Sequence, residues 1–396
     1  MSNPTFRVAS LFAGIGGIEL GFERALGHDV ETVMFCEWWT PAQQVLRARF
    51  PGIDIHPDVR ELTSLPGSVN LVTSGFPCTD LSQAGRMAGI KGANSGLVRH
   101  MFEAIRLGAQ TGGLPTLVIE NVPNMLSLDR GRAMAYLVEE IEALGYRWAY
   151  RVVDSRFTGV PQRRRRVILV ASADLDPREV LFADDQGARA AHEFAEDAYG
   201  FYWTEGRGGL GWAQDAVPTL KGGSTIGIPS PPAIWVPAGE RGRRLLKPTV
   251  EDAEAMQGFD RGWTAVDGLN ARKNGPRWRL VGNAVTVGVA QWLAGRLADP
   301  GAVTHGYKPW APADRGWPTA AWGGNGTVWS VPELSEFPIN LAYQHLQDVV
   351  SIADAEALSL RASTGFMNRL QRGNLGRHPG FREDVADHIL AVAEVG

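Results

Sequence analysis

The sequence predicts an α/β fold in which strands and helices alternate through residues 1–175, followed by two less regular regions. Short apolar runs of strand length alternate there with segments whose apolar residues recur at helical spacing, which is typical of βαβ units. Beyond residue 175 this alternation stops, and glycine, proline and tryptophan become frequent. The chain therefore divides into a regular first part and an irregular remainder.

Size and composition indicate an ordinary folded protein. With 396 residues, 44% of them hydrophobic, the chain can bury one sizeable core and carry one or two smaller domains. Two cysteines and eight scattered histidines form neither a disulfide framework nor a zinc-ligand spacing, so we expect no metal and a cytoplasmic location. No signal peptide and no long apolar run occur, so we expect no membrane association. A net charge of −4 argues against indiscriminate coating of nucleic acid but allows a local basic face.

The first predicted strand, residues 6–12, runs into the glycine-rich turn 13–17, and an amphipathic helix follows. Glycines let a backbone approach a ligand closely, and a helix N-terminus offers free N–H groups. The spacing is not the Gly-x-Gly-x-x-Gly of dinucleotide-binding loops, and no lysine follows as in a nucleotide-triphosphate loop. This segment alone fits a ligand site and a simple tight turn equally well.

Acidic residues follow the next two predicted strands. Strand 31–35 leads into Cys36, Glu37 and Trp38, and strand 53–56 leads into Asp58. Carboxyl ends of strands in a doubly wound sheet form the edge where ligands bind, and an acid after the second strand suits a ribose diol. A solvated helix start would also account for Glu37, and packing for Trp38. We interpret Cys36 as a core residue.

Cys78 is the candidate nucleophile. It follows the apolar run 69–72, and Pro77 stiffens the backbone that leads to the sulfur. A loop cysteine alone is more often structural than reactive, because a nucleophilic thiol needs a polar surrounding. Glu120, at the end of the fifth predicted strand, is a carboxyl group that needs a partner or a task if it is buried.

Four consecutive arginines, residues 163–166, precede the next apolar strand. Strand geometry sends Arg164 and Arg166 to one face and Arg163 and Arg165 to the other. A solvated charge run is the common alternative. Further along, the irregular region ends in a basic cluster (Arg241, Arg243, Arg244, Lys247), and residues 281–285 open an apolar helix that returns to the first core.

Helical patterns resume at residues 339–350, 354–364 and 381–392, which predicts a mostly helical appendage. Arginines 361, 369, 372 and 377 lie in this region. They suit phosphate contacts, but solvated helix faces are the favoured interpretation.

Taken in order, the motifs at residues 12–17, 37–38, 58, 75–78, 120–122, 162–166 and 282–285 resemble those of the cytosine-C5 DNA methyltransferase family of bacterial or phage type. The resemblance covers roughly residues 6–175 and 245–298. It implies a Rossmann-like S-adenosylmethionine-dependent methyltransferase domain at 1–175, completed by 261–298. It also implies a smaller, irregular target-recognition domain at 176–260 and leaves a mostly helical C-terminal extension at 299–396.

The resemblance also implies site residues. The cofactor S-adenosylmethionine would be bound by Phe12, Gly14, Ile15, Gly16, Gly17, Glu37, Trp38, Asp58, Val59, Pro77, Asn283 and Val285. The catalytic residues would be Cys78, Glu120, Arg164 and Arg166, with Cys78 attacking carbon 6 of a flipped-out cytosine, Glu120 holding a proton at N3 and Arg164 bonding the base oxygen. Double-stranded DNA is the expected partner, with residues 241–247 on its phosphates. A cognate restriction endonuclease is a further candidate partner, and we expect a monomer.

Three alternatives are weaker. The same chemistry could act on transfer RNA, but the sizeable insert at residues 176–260 argues for DNA. A non-catalytic DNA-binding relative would have no use for Cys78, Glu120 and Arg164. A NAD-dependent oxidoreductase would need a different glycine spacing.

Overall fold

The protein is described by a computed structural model that covers residues 5–77, 96–204, 209–222, 231–269, 275–311 and 316–395. The chain forms two compact units. Unit 1 comprises Met1–Asp154, Arg165–Ala188 and Val285–Ile339. Unit 2 comprises Ser155–Arg164, Arg189–Ala284 and Asn340–Gly396.

Strands and helices alternate in the first part of the chain, which contains β1 (Phe6–Leu11), α1 (Gly17–Leu26), β2 (Val30–Cys36), α2 (Thr40–Arg49), β3 (Asp54–His56), β4 (Leu71–Ser74), α3 (Leu97–Gly112), β5 (Thr116–Asn121), α4 (Arg132–Ala143), β6 (Arg147–Asp154), β7 (Gln162–Arg163), β8 (Arg165–Ser172) and α5 (Pro177–Leu181). The second part contains β9 (Tyr199–Phe201), β10 (Ala213–Gln214), β11 (Val217–Pro218), β12 (Ala233–Trp235), β13 (Leu245–Lys247), α6 (Val250–Met256), α7 (Gly275–Asn283) and α8 (Val287–Ala298). The last part contains β14 (Lys308–Pro309), β15 (Ala320–Gly324), β16 (Thr327–Ser330), α9 (Leu346–Val349), β17 (Glu356–Ala357), α10 (Leu360–Gly373) and α11 (Phe381–Val395).

Unit 1 is built on a ten-stranded sheet with the order β14-β16-β15-β6-β8-β5-β4-β1-β2-β3. The segment β3-β2-β1-β4-β5 is parallel, whereas β8 is antiparallel to both β5 and β6. The strand order reverses at β1, which lies between β2 and β4, and such reversal points are where open α/β sheets bind ligands. The predicted α/β, Rossmann-like fold is confirmed.

The core of unit 1 explains why its central strands are apolar. All four residues of β4 are buried, as are the residues of β5 after the first, because helices cover a parallel sheet on both faces. Helix α1 packs on α8 so closely that a Cβ built on Gly21 would lie 2.6 Å from the Cβ of Ala290. This contact confirms that the late apolar helix returns to the first core.

Unit 2 contains a smaller antiparallel sheet with the order β10-β9-β12-β13-β17 and a parallel pair, β7 with β11. An aromatic cluster joins the sheet to α10 and α11, with the ring of Phe201 5.0 Å from that of Phe366 and 5.1 Å from that of Phe381. Most strands of this unit are two or three residues long, which agrees with the irregular sequence pattern of the region.

The last hundred residues do not form one mostly helical extension. Residues 299–339 belong to unit 1, where β15 pairs antiparallel with β6 and forms a hairpin with β16 around Asn325 and Gly326, both with positive φ. Residues 340–396 belong to unit 2. Their helices α9 and α10 begin later than the sequence pattern predicts, whereas α11 begins at Phe381 as predicted. The hairpin was missed because its strands are specified by pairing with β6, which no local pattern reveals.

Candidate active site

A cavity of about 230 Å³ opens at the carboxyl ends of three neighbouring strands of unit 1, β1, β2 and β3. Leu11 pairs with Cys36, and Cys36 with His56, so the three strand ends are level. The residues that follow these ends form the walls: Phe12, Cys36, Glu37, Trp38, Asp58, Val59, Arg60 and Leu97. Five predicted cofactor residues, namely Phe12, Glu37, Trp38, Asp58 and Val59, therefore share one cavity.

The glycine-rich turn takes a backbone conformation that most side chains disfavour. Phe12 has a φ of 58°, Gly14 of 58° and Gly16 of 78°. A Cβ on Gly16 would lie 2.3 Å from the ring of Phe50, so this position requires glycine. Ile15, Gly16 and Gly17 are buried, and the residues that line the cavity do not include them. They shape the turn that carries Gly14, and their predicted contact with a cofactor stays a prediction.

The carboxylate of Glu37 is fixed by backbone donors. The Gly14 N–H donates to Oε2 and the Trp39 N–H to Oε1, each at 2.8 Å. Burial raises the pKa of Glu37, and these hydrogen bonds oppose the shift. A backbone hydrogen bond from Trp38 acts in the same direction. A carboxylate has about four acceptor sites, so Glu37 keeps capacity for a ligand hydroxyl group.

Gln43 is a positioning residue that sequence reasoning missed. Its Nε2 donates to the backbone oxygen of Glu37 at 2.6 Å, and Arg47 donates to its Oε1 at 3.1 Å. Gln43 is buried on α2, and an amide on the buried face of a helix is the signal that could have identified it.

Asp58 is held at the rim of the cavity by Arg60, which sequence reasoning also missed. Nε of Arg60 lies 3.0 and 2.9 Å from the two carboxylate oxygens, and the Arg60 N–H donates to Oδ1 at 2.9 Å. These bonds lower the pKa of Asp58, so its carboxylate is the charged form. The Arg60 side chain is 64% exposed, so Asp58 faces both the cavity and a solvent-facing cation.

A second group of predicted residues meets where β4 and β5 end and β8 begins. Nε of Arg166 lies 2.7 Å from Oε1 of Glu120 in an ion pair that lacks the alignment of a hydrogen bond. A Cβ built on Gly75, just beyond β4, would lie 3.8 Å from Oε2 of Glu120. Asn121 secures this approach, because its Nδ2 donates to the backbone oxygen of Phe76 at 3.0 Å.

The segment that leads to the candidate nucleophile therefore passes beside Glu120. Pro77 is exposed at the end of this segment. Cys78 itself lies outside the described residues, so its position rests on the sequence alone. Cys36, the other cysteine, is buried, and burial raises the pKa of its thiol to about 12, which agrees with the predicted core role.

The predicted contact between Arg164 and the base oxygen requires a correction. The Arg164 guanidinium is 1% exposed and donates to backbone oxygens of unit 2: Leu220 at 3.1 Å, Gly282 at 3.3 Å and Ala284 at 2.6 Å. It therefore does not match the predicted base contact, and Arg166 supplies the guanidinium beside Glu120. Strand alternation correctly buries both side chains, but it cannot tell which of them meets a carboxylate.

Two further cofactor residues are separated by the unit boundary. Asn283 is exposed at the end of α7 in unit 2, whereas Val285 opens the last segment of unit 1. Their predicted role in the cofactor site remains a prediction.

The basic cluster at residues 241–247 also requires a correction, because its side chains have protein partners within unit 2. Arg241 pairs with Glu394 at 2.7 Å, Arg244 with Asp384 at 2.6 Å and Lys247 with Glu356 at 2.6 Å. Arg243 donates to the backbone oxygen of Ile352 at 2.7 Å. These contacts join the cluster to the C-terminal segment, and they do not support the predicted phosphate contacts.

The described part of the chain shows neither a metal-binding cluster nor a membrane span. Among its residues, no group of three or more His, Cys, Asp or Glu side chains is arranged to hold a metal ion. Of the helices described, none has the length and apolar character that a membrane crossing requires.

Comparison with known proteins identifies relatives. Residues 6–193 match the model of the C-5 cytosine-specific DNA methylase family. The type II methyltransferase M2.BsuMI of Bacillus subtilis (strain 168) is 43% identical over 92% of this chain and 93% of its own. The type II methyltransferase M.MspI of Moraxella sp is 27% identical over 74% of this chain and 70% of its own.

Solved structures with a similar fold include the S. pombe Dnmt2 methyltransferase, with a TM-score of 0.54 and 14% identity over 74% of this chain and 98% of that one. The Entamoeba histolytica methyltransferase EhMeth gives a TM-score of 0.52 and 15% identity over the same shares of the two chains, 74% and 98%. At this identity the two structures support the fold alone.

Proposed function

Because the chain belongs to the C-5 cytosine-specific DNA methylase family, and is a DNA (cytosine-5) methyltransferase on that ground, we propose that it methylates carbon 5 of a flipped-out cytosine in a specific double-stranded DNA sequence. The methyl donor in this proposal is S-adenosylmethionine. The observation that carries the proposal is the ion pair between Arg166 and Glu120, beside the segment that leads to Cys78.

The cavity at the ends of β1, β2 and β3 fits S-adenosylmethionine. Glu37 offers acceptor capacity for the ribose hydroxyls, Asp58 offers an acceptor for the adenine amino group, and Phe12 and Trp38 offer aromatic surface for the adenine ring. When bound there, this cofactor supplies the electrophilic methyl group that carbon 5 receives.

Cys78 makes carbon 5 reactive. Carbon 5 of cytosine is a poor nucleophile, so electron density must be pushed into the ring. The Cys78 thiolate adds to carbon 6, and the displaced electron pair becomes available at carbon 5 for bond formation to the methyl group. Loss of the carbon 5 proton to water then restores the double bond and expels the thiolate. The proton that N3 received from Glu120 returns to Glu120, so the enzyme ends unchanged.

Glu120 and Arg166 act on the opposite side of the ring. Glu120 takes up a proton from solvent before the addition and donates it to N3 as Cys78 adds, which neutralises the negative charge that the addition delivers. Arg166 orients Glu120 in the free enzyme and can bond the base oxygen once cytosine enters. The base must leave the duplex, because carbons 5 and 6 are inaccessible within the stack.

The biological context of this activity is inferred from the relatives. M2.BsuMI and M.MspI are both type II methyltransferases, which supports a restriction-modification context with a cognate endonuclease. Recognition of the DNA sequence is assigned to the region around residues 176–260. A cytoplasmic location and a monomeric state are retained as predictions.

Bisulfite sequencing of DNA from cells that express the protein tests the proposal. Wild type should protect cytosines within one sequence motif from conversion, and Glu120→Gln should abolish the protection. Purified wild type should also incorporate labelled methyl groups into duplex DNA and not into transfer RNA. Labelling of transfer RNA alone would contradict the DNA assignment.

A further inference from the structure

A stretch of unit 2 around α10 is basic and contains no acid. Residues 357–382 carry five arginines and no aspartate or glutamate, in a chain whose net charge is −4. Two of the five are occupied by the fold: Arg369 bonds the backbone oxygen of Trp203, and Arg382 bonds that of Leu375 at 2.8 Å. The other three are Arg361, Arg372 and Arg377.

These three arginines are exposed and form no hydrogen bond or ion pair with any described residue. They differ in this from the basic cluster at 241–247, whose side chains all have protein partners. Exposed cations that have no partner among the described residues are available to bind an anionic partner.

Helical geometry aligns two of the arginines on one stripe of α10. At 3.6 residues per turn, positions 361, 365, 368 and 372 fall on the same side, and the two ends are about 16 Å apart. The opposite side carries Phe366 and Leu370, which are buried in the aromatic core of unit 2. The stripe is therefore held on a rigid element and turned to solvent.

Gly365 in the middle of the stripe is a second, independent observation. A helix interior disfavours glycine, and here the fold does not require it. A Cβ at this position would find only Nη1 of Arg369 within 4 Å among the described residues, at 3.8 Å. The open space beside Gly365 leaves room for the backbone of a partner to approach the helix at the middle of the stripe.

We propose that the stripe Arg361, Gly365, Asn368 and Arg372, together with Arg377, contacts the sugar-phosphate backbone of DNA. Guanidinium groups bond phosphate oxygens, an asparagine amide can add a further bond, and glycine allows the backbone to come close. This inference rests on the proposed function, and it gives residues beyond 340 a part in holding the substrate. It replaces the interpretation that these arginines lie on a solvated helix face, which the sequence alone favours.

The first test measures binding of a fluorescein-labelled random-sequence duplex across a salt titration. Arg361→Gln with Arg372→Gln should weaken binding by about tenfold or more near 0.1 M salt and reduce the salt slope by about 2. Arg241→Gln removes one positive charge from the same unit at a side chain with acidic partners, so it should leave the slope unchanged. Affinity and slope of the double variant equal to wild type would overturn the inference.

Two glycine substitutions distinguish an effect on DNA binding from an effect on stability. Gly365→Ala should raise the thermal midpoint and weaken duplex binding, because the added methyl group occupies the space of the DNA. Gly295→Ala is the matched control, since it also lies in a helix and a Cβ there would meet nothing within 4 Å. It should raise the midpoint without changing affinity. Unchanged binding by Gly365→Ala would overturn the close approach.

Failure of this inference can be told from failure of the proposed function. If wild type methylates DNA and the α10 variants bind and methylate equally well, only the role of α10 is overturned. If wild type neither binds the duplex nor methylates it, the DNA methyltransferase proposal itself fails, and calorimetry with S-adenosylmethionine shows whether the protein was folded.

Discussion

Polar side chains at the strand ends of unit 1 differ in their hydrogen bonding from a set of buried polar side chains in unit 2. At the strand ends of unit 1, Glu37 keeps acceptor capacity and Glu120 faces one guanidinium, so both side chains can still bind a ligand. In unit 2, Gln162, Arg164 and Gln257 are buried and bonded to one another or to backbone oxygens, as in the 3.1 Å contact between the two glutamines. The strand-end carboxylates can therefore act on a ligand, whereas the buried groups of unit 2 bond to backbone oxygens and stabilise the fold.

The four consecutive arginines, residues 163–166, are divided between the two units. Arg163 and Arg164 belong to unit 2, and Arg165 and Arg166 to unit 1. Substitutions in the two units should therefore differ in kind, and their expected effects range from a large loss of stability to a small change in pH dependence.

Arg164→Met should destabilise the protein most. It leaves the buried backbone oxygens of Leu220 and Gly282 without their side-chain donor, and that of Ala284 with only the Gln257 amide, which should cost about 3 kcal/mol of unfolding free energy. Denaturant unfolding measures this loss. Arg163→Met is the control, since it removes one bond, to Gly211, and should cost about 1 kcal/mol. Equal stability of the two variants would end the structural interpretation of Arg164.

Arg166→Gln should affect rate more than stability. Loss of the cation beside Glu120 should lower single-turnover methyl transfer by about 10²–10³-fold. It should also lower the thermal midpoint, because it leaves a nearly buried carboxylate without its cation. Arg165→Gln, an exposed neighbour paired with Glu336, is the control and should keep its activity. Activity of Arg166→Gln within a few-fold of wild type would remove Arg166 from the mechanism.

Cofactor affinity should depend on pH through Glu37. The carboxylate accepts ribose hydroxyls fully only when ionised, and burial raises its pKa, so affinity should be full above that pKa and fall as pH is lowered through it. Calorimetry should show Glu37→Gln binding more weakly by about 1.5–3 kcal/mol at neutral pH, without the pH dependence. Glu31→Gln, an exposed acid on the same strand, is the control. An identical pH profile in Glu37→Gln would contradict the ribose assignment.

The smallest effect concerns an ion pair inside unit 2. Asp215 is fully buried, and its Oδ2 lies 2.6 Å from Nδ1 of His345, which raises the pKa of that histidine. The resulting stability is present below pH 6.5, the ordinary histidine value, and is lost as pH rises through the raised pKa. Because His345 is 47% exposed, we expect no more than about 1 kcal/mol. His345→Gln should unfold with a flatter pH profile over this range, and an unaltered profile would refute the linkage.

The sequence predicted the part of the protein that local patterns specify. Strand ends, the glycine turn and the acids Glu37 and Asp58 were placed correctly, because in a parallel sheet the residues after successive strands meet at one edge. Contacts between residues distant in sequence could not be predicted from local patterns. Nothing local distinguishes Arg164 from Arg166, pairs Arg244 with Asp384, or joins the hairpin of β15 and β16 to β6.

Covalent trapping by DNA containing 5-fluorocytosine tests the central claim most directly. Fluorine at carbon 5 cannot leave as a proton does, so after methyl transfer the bond between Cys78 and carbon 6 should persist. Wild type with S-adenosylmethionine should yield a denaturation-resistant adduct, and peptide mapping should identify Cys78 as the modified residue. Cys78→Ser should yield no adduct. Absence of an adduct in wild type, with Cys78→Ser still methylating DNA, would contradict the account.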